Sequence, residues 1–328
     1  MAGQTILHKG DFINGAWMVP DRPDGSFLKK SPGDFNDLIL DVEFCYHHIA
    51  LACKEAQQAF KKWSRLSQSD RSTSLLKLRD VFDGKKKEMA QVLARDTGRP
   101  LWETTQEVDS LISKIQETVE NSLPLIAQKS MDVTSENGGN LKGQIHYCPR
   151  GVMAVVGAFS LPALTAINQI GSALIAGNTV VFKPSEHTPA IGQFLAECFE
   201  KSGFLPGVFN LVQSDINGGK KLVTDENVNG ILFAGSYETG LSIKHETLNH
   251  YWKVLALEMG GKNASLVWQD ANLDKAIYKT LLGAYLSSGQ RGTSTSRVLL
   301  HESIYEAFLE RFYQHAKKLS VGHWDSNV

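Results

Sequence analysis

Gly151-Val152-Met153-Ala154-Val155-Val156-Gly157 and, further along, Gly177-Asn178-Thr179-Val180-Val181-Phe182-Lys183-Pro184-Ser185-Glu186 decide the fold. Each holds a short apolar run with no alternation, bounded by glycine. That is the pattern of a strand buried on both faces. Leu164 to Ile175 between them reads as a helix. Thr188-Pro189 supplies an N-cap with proline at the first helical position, and the helix it opens stops near Gly203. Val208–Val212, Gly230–Phe233 and Val254–Leu257 read as further strands, and Gly235-Ser236 opens a helix through Lys244. Repeated βα units with short connections predict an α/β fold with a parallel, doubly wound sheet. Such sheets place ligands at the carboxyl ends of their strands.

Towards the N-terminus a short polar lead precedes predicted helices at Ile49–Trp63, Asp70–Phe82, Lys85–Asp96 and Leu101 to about Asn121. Gly98 and Pro100 separate the last two. Met131 to Pro149 reads as a hairpin, with Asn137-Gly138-Gly139 as its turn. Towards the C-terminus, beyond Glu258, strands near Ser265–Trp268 and Arg297–Leu300 alternate with helices at Leu273–Tyr285 and from Ile304 to about Leu319.

The chain has 328 residues, 42% hydrophobic and 21% charged, with a formal net charge of −1. This is a globular composition, and it gives no electrostatic case for nucleic acid or an anionic membrane surface. No signal peptide is expected at Met1–Gly10, and the most apolar stretch is broken by Pro162, Asn168, Gln169 and Asn178, against a membrane span. Cys45, Cys53, Cys148 and Cys198 are scattered without metal-ligand spacing and read as reduced thiols of a cytoplasmic protein. His245 and His250 stand five residues apart, which rotates them off a shared helical face and excludes a zinc-protease motif. No glycine-rich dinucleotide fingerprint and no P-loop is present.

Four segments concentrate the residues that carry chemistry. They are Gly157-Ala158-Phe159-Ser160-Leu161-Pro162, the Gly177–Glu186 run, Phe233-Ala234-Gly235-Ser236 with Gly240, and Leu257-Glu258-Met259-Gly260-Gly261-Lys262-Asn263. Singly, each has a packing explanation as a turn, strand end, cap or tight loop. In this order and spacing they resemble the aldehyde dehydrogenase superfamily, from Phe12-Ile13-Asn14-Gly15 to the end of the chain. Within it, Thr97-Gly98-Arg99-Pro100-Leu101-Trp102-Glu103 and Leu255–Gly261 are similar to the N-succinylglutamate 5-semialdehyde dehydrogenase branch, which serves arginine catabolism.

The resemblance implies NAD-dependent oxidation of an aldehyde to an acid. A cysteine thiolate adds to the aldehyde, hydride passes to the nicotinamide, and a glutamate base activates water to hydrolyse the thioester. It implies a dinucleotide-binding domain over 1–130 and 150–257, a hairpin oligomerisation arm over 131–149, and the N-terminal part of a catalytic domain over 258–328. Lys183 and Glu186 match the pair that holds the adenosine ribose hydroxyls. Phe233, Gly235, Ser236, Tyr237, Glu238, Thr239 and Gly240 match the helix-start segment facing the pyrophosphate. Glu258 matches the general base.

Three features depart from the family pattern. The nucleophile position, 34 residues after Glu258, is Gly292, in Ser288-Gly289-Gln290-Arg291-Gly292-Thr293. The oxyanion position, asparagine in the family, is Ser160. The chain stops where family members continue, so an incomplete catalytic domain and incomplete oligomerisation elements are expected, with Leu281, Leu282 and Phe308 poorly buried. Together these predict a degenerate homologue without dehydrogenase activity. A nucleotide-binding or interaction protein that reuses the fold, and an active NAD-dependent semialdehyde dehydrogenase, are the alternatives.

Overall fold

The computed structural model describes residues 4–134 and 140–326. The chain opens with four strands, β1 (Asp11–Ile13), β2 (Ala16–Met18), β3 (Gly25–Ser31) and β4 (Asp34–Phe44). Helices α1 (Tyr46–Trp63), α2 (Gln68–Gly84), α3 (Lys86–Thr97) and α4 (Leu101–Glu117) follow, then β5 (Lys129–Thr134) and β6 (Asn140–Ile145). The alternating part runs β7 (Val152–Val156), α5 (Pro162–Ile175), β8 (Thr179–Lys183), α6 (Pro189–Ser202), β9 (Phe209–Leu211), α7 (Ile216–Thr224), β10 (Val228–Gly235), α8 (Tyr237–Glu246) and β11 (Val254–Met259). The last segment is β12 (Asn263–Val267), α9 (Leu273–Tyr285), β13 (Thr295–Leu300) and α10 (Tyr305–Ala316).

The main sheet has the order β11-β10-β7-β8-β9-β1-β2. The five strands from β7 to β11 are parallel to their neighbours in it, as predicted. Its antiparallel edge, β1 and β2, comes from the lead that the sequence reading left without structure. That lead also forms the β3–β4 hairpin. Its signal is the period-two set Leu38, Leu40, Val42 and Phe44 behind the turn at Pro32-Gly33, which the surrounding charged residues obscure.

The strands are apolar throughout because both faces are covered. Met153, Val155, Val180, Phe182 and Phe209 pack against α2 to α6. Val152, Ala154, Val181 and Ile231 face the other way, into a core closed by α1, α7 and α8. Adjacent residues of one strand thus serve two cores, which removes alternation from the sequence.

The segment after β11 has a core of its own. Val267, Ile277 and Phe308 are buried together, with Leu281 packed against them. The expectation that Phe308 is poorly buried is therefore wrong, because α9 and α10 close over one face of β12 and β13. Leu281 and Leu282 are half-buried. The predicted 131–149 hairpin is present as β5 paired with β6, and its expected turn at Asn137-Gly138-Gly139 lies outside the described residues.

Candidate functional site

β7 is central to the topology. The chain leaves it to one side through β8 and β9, then returns to its other side through β10 and β11. A switch of direction opens a crevice at the carboxyl ends of the strands. There a cavity of about 430 Å³ is lined by Val156, Gly157, Lys183, Glu186, Phe233 and Ser236, among others.

Lys183 ends β8 and is 3% exposed. Its Nζ donates to the Pro184 carbonyl at 3.1 Å and stands 3.6 Å from Glu186 Oε2. Burial holds the ammonium pKa below the ordinary lysine value, and the neighbouring carboxylate opposes that shift. An ammonium has three donors, so it keeps capacity for a ligand oxygen, while exposed Glu186 offers acceptors beside it. A donor and an acceptor side by side suit a vicinal diol.

Across the cavity, β10 delivers Phe233, Ala234 and Gly235, and Ser236 caps α8 by accepting the Thr239 N–H at 3.1 Å. The other N–H groups of that first turn lack intrahelical acceptors and point out of the helix start, where an anion is favoured. A Cβ at Gly235 would lie 2.4 Å from Phe233 Cζ, so any side chain there would have to displace the Phe233 ring from the cavity wall. The shape and donor set therefore fit a ribose and phosphate-bearing ligand such as NAD.

The cavity gathers Lys183, Glu186, Phe233, Gly235, Ser236, Glu238 and Thr239 of the sequence-derived set. Two residues of that set stand elsewhere. Tyr237 is outside the lining and 60% exposed. Gly240 is buried behind the helix, where a Cβ would lie 2.4 Å from Met259 Sδ, so its part is packing. Both outcomes follow from helical geometry, because successive residues of α8 cannot all face one cleft. Sequence reasoning missed Ile216, Gly219, Lys220 and Val223, since α7 was not recognised. Gly218-Gly219 reads as a loop, yet the Asp215 carboxylate caps α7 through the Gly218 N–H at 2.9 Å.

The three positions matched to chemistry lie outside this lining. Glu258, on β11 beside Ala234, is exposed and its Oε1 accepts from Gln169 Nε2 at 3.1 Å. Gly292 comes close to the segment after Glu258: a Cβ there would lie 3.6 Å from Gly260 Cα, ordinary contact. The Gly292 carbonyl accepts from Asn263 Nδ2 at 2.7 Å. Ser160 precedes Leu161, which has φ of 46° at the start of α5, and the Ser160 carbonyl accepts from Thr165 Oγ1 at 3.5 Å. Its own hydroxyl makes no hydrogen bond among the described residues.

The turn before Gly292 is left-handed at three successive residues, with φ of 59° at Ser287, 54° at Ser288 and 70° at Gly289. Non-glycine residues pay for that conformation in steric energy and need support. Glu103 of α4 supplies it, its Oε1 accepting the Ser287 N–H at 3.0 Å. Arg291 Nε donates to Ser287 Oγ at 2.7 Å. Neighbouring Glu107 accepts the Ala163 and Leu164 N–H groups, each at 3.1 Å, and pairs with Arg99. One helix thus buttresses both the start of α5 and the turn before Gly292.

Cys53 and Cys198 are not poised as thiolates. Burial pushes the Cys198 thiol up to about 12 and that of Cys53 well above its ordinary value.

The aldehyde dehydrogenase family pattern matches residues 42–328. The chain belongs to that family. N-succinylglutamate 5-semialdehyde dehydrogenase of Legionella pneumophila (strain Corby) is 34% identical over 325 residues, 98% of this chain and 64% of that protein. The enzyme of the same name from Escherichia coli (strain SE11) is 34% identical over 319 residues, 96% of this chain and 63% of its own length. Solved structures agree. An E. coli NADP dependent enzyme superposes with a TM-score of 0.91 at 26% identity, covering 97% of this chain and 65% of that one. A salicylaldehyde dehydrogenase from Pseudomonas putida G7 gives 0.90 at 26% identity, covering 98% of this chain and 66% of that one. This aldehyde dehydrogenase homologue therefore spans under two thirds of the length of these relatives. Among the described residues no helix is long and apolar enough to cross a membrane, and no cluster of metal-ligating side chains occurs.

Proposed function

We propose that this chain is an aldehyde dehydrogenase homologue that binds NAD in the cleft at the ends of β7, β8 and β10 and does not oxidise aldehydes. The observation that carries the reading is Gly292. Thioester chemistry needs a side-chain sulfur at the nucleophile position, and glycine has none. Buried Cys53 and Cys198 are held as thiols. Serine at position 160 removes an amide donor from the oxyanion position, a loss of roughly 10²–10³ in rate in comparable sites.

On the binding side, Lys183 and Glu186 would hold the ribose hydroxyls, and the start of α8 would receive the pyrophosphate. Bound NAD would supply a hydride acceptor. Without a covalent adduct at position 292, Glu258 has no thioester for its activated water to attack. Similarity to N-succinylglutamate 5-semialdehyde dehydrogenases supports a small semialdehyde as the ancestral substrate class.

Calorimetric titration of the full chain with NAD tests the binding half. Saturable binding is expected, weakened about tenfold or more in Lys183→Ala, since a charge-assisted hydrogen bond is lost. NADH formation from N-succinylglutamate 5-semialdehyde above a protein-free control overturns the other half.

A further inference from the structure

Lys29 belongs to β3, far along the chain from the cleft, yet its ammonium is turned into the molecule. The side chain is 11% exposed. Nζ donates to the His187 carbonyl at 2.6 Å and stands 3.8 Å from Asp96 Oδ1. Asp96 sits in the last turn of α3 with its side chain fully buried. Its Oδ2 accepts the Ile191 N–H at 3.0 Å and so caps α6, whose own N-cap Thr188 makes no side-chain cap. Asp96 Oδ1 has no hydrogen-bond partner among the described residues, which leaves Lys29 as the charge that compensates it.

These contacts grip the 184–191 segment at two places, the His187 carbonyl and the first turn of α6. Between β8 and α6 the segment carries Ser185, Glu186 and His187, all in the cavity lining. Its internal bonds are local: Thr188 N–H to the Ser185 carbonyl at 3.0 Å, and His187 N–H to Ser185 Oγ at 3.2 Å. Such bonds shape a turn without fixing where it stands. Its ends are tied by Lys183 Nζ to the Pro184 carbonyl and by Gln213 Nε2 to the Pro189 carbonyl at 2.9 Å, and between them Lys29 holds the His187 carbonyl. Lysine normally keeps its head in water, and withdrawing the charge costs free energy unless a partner waits inside. The sequence provides that partner on a different element, and the pair serves no part of the apolar core.

We propose that Lys29 is a positioning residue of the nucleotide cleft, clamping the 184–188 turn against Asp96 so that Glu186 stays beside Lys183. The proposal rests on the reading of the cleft as a nucleotide site, and two readouts separate them. One is NAD affinity by calorimetry. The other is amide hydrogen exchange of residues 184–192 without nucleotide. Both are made on the full chain, for the wild type, for Lys29→Ala, and for Lys29→Ala with ethylammonium added.

Lys29→Ala is expected to weaken NAD binding and to accelerate exchange in 184–192, each about tenfold, with exchange in α9 unchanged. Ethylammonium, which places a cation in the vacated space, restores both. Affinity and exchange within about twofold of wild type overturn the proposal. So does a loss that the amine does not restore and that spreads through the molecule. If the wild type fails to bind NAD, the nucleotide reading falls by itself and exchange alone decides the clamp. Should Lys29→Ala not fold, Asp96→Asn, which keeps the Ile191 cap but removes the charge that draws Lys29 inward, is expected to accelerate exchange at 185–188 and leave the first turn of α6 unchanged.

Discussion

Gly292 and Asp96 show how much a single side chain decides. A Cβ at position 292 meets only Gly260 Cα, at 3.6 Å, so the site accepts a side chain without rearrangement. Gly292→Cys is expected to leave the melting temperature within a few degrees of wild type, about 1 kcal/mol or less. Because Gly292 is exposed, titration with a thiol reagent under native conditions should count one more reactive cysteine than in the wild type. A buried, silent thiol would show that the turn is differently placed. Asp96 is the opposite case, since burial raises its carboxyl to about 6 against the partial relief of Lys29. The folded state then holds a proton between about pH 4 and 6 that the unfolded chain has released, so this group's contribution to stability falls as pH rises through that window. Asp96→Asn keeps the cap on Ile191 and removes the titration. The difference in unfolding free energy between the variant and wild type should grow by up to about 3 kcal/mol from pH 4 to 7, in favour of the variant. Denaturant titrations across that range measure it, and a pH-independent difference would contradict the assignment. At this scale Lys183 and Glu186 were singled out through the resemblance of their Lys-Pro-Ser-Glu context, and the structure places both in the lining of one cavity. The sequence was silent on Lys29, because nothing in Phe27-Leu28-Lys29-Lys30 distinguishes the lysine that turns inward from the one that does not.

Elements were legible where one period dominates. β7 matches the expected Val152–Val156 and α9 the expected Leu273–Tyr285 at both ends. β3 and β4 were hidden because charged residues on their exposed face break up the apolar period, and β1 and β2 because three residues each are too few to show one, with β1 held in the sheet by β9, distant in sequence. The same limit conceals the work of α4. Its sequence shows an amphipathic helix, whereas its structural role lies in two glutamates on the buried side. Glu103 holds the Ser287 N–H in a left-handed turn, and its removal orphans a buried donor beside strained backbone. Glu103→Ala is therefore expected to cost about 1–3 kcal/mol in denaturant-induced unfolding. Exchange of amides at 286–292 should accelerate more than that of the main sheet. Equal acceleration in both places would assign Glu103 to general packing instead. The aldehyde dehydrogenase architecture itself was readable from the four motif segments, because each sits at a strand end or helix start whose geometry restricts the residues allowed.

Over the whole molecule, the two parts differ in how fully they cover their sheets. The main sheet is sandwiched by helices on both faces, whereas β12 and β13 form a parallel pair with α9 and α10 on one face alone. Parallel sheets are ordinarily buried on both sides. Here the register pairs Leu266 with Leu299, and these two residues are 68% and 51% exposed, with Trp268, just past the end of β12, at 54%. The period-two alternation is strict: Val267, Val298 and Leu300 turn towards the helices while Leu266, Trp268 and Leu299 turn out. The sequence reading expected poor coverage in this region but placed it on the helices. The helices are in fact covered by the strands, and the strands' other face is left over. A contiguous apolar face of this kind drives association in water. Sedimentation velocity at rising protein concentration should show the chain passing into larger species. The double variant Leu266→Gln, Leu299→Gln should shift that transition to concentrations at least about tenfold higher, since it removes roughly 1.4 kcal/mol or more of apolar contact. NAD titration should be unaffected, because neither residue lines the cleft. A monomer at all concentrations, with or without the substitutions, would mean that the face is tolerated in water and that association is set elsewhere, with the β5–β6 hairpin the next surface to alter.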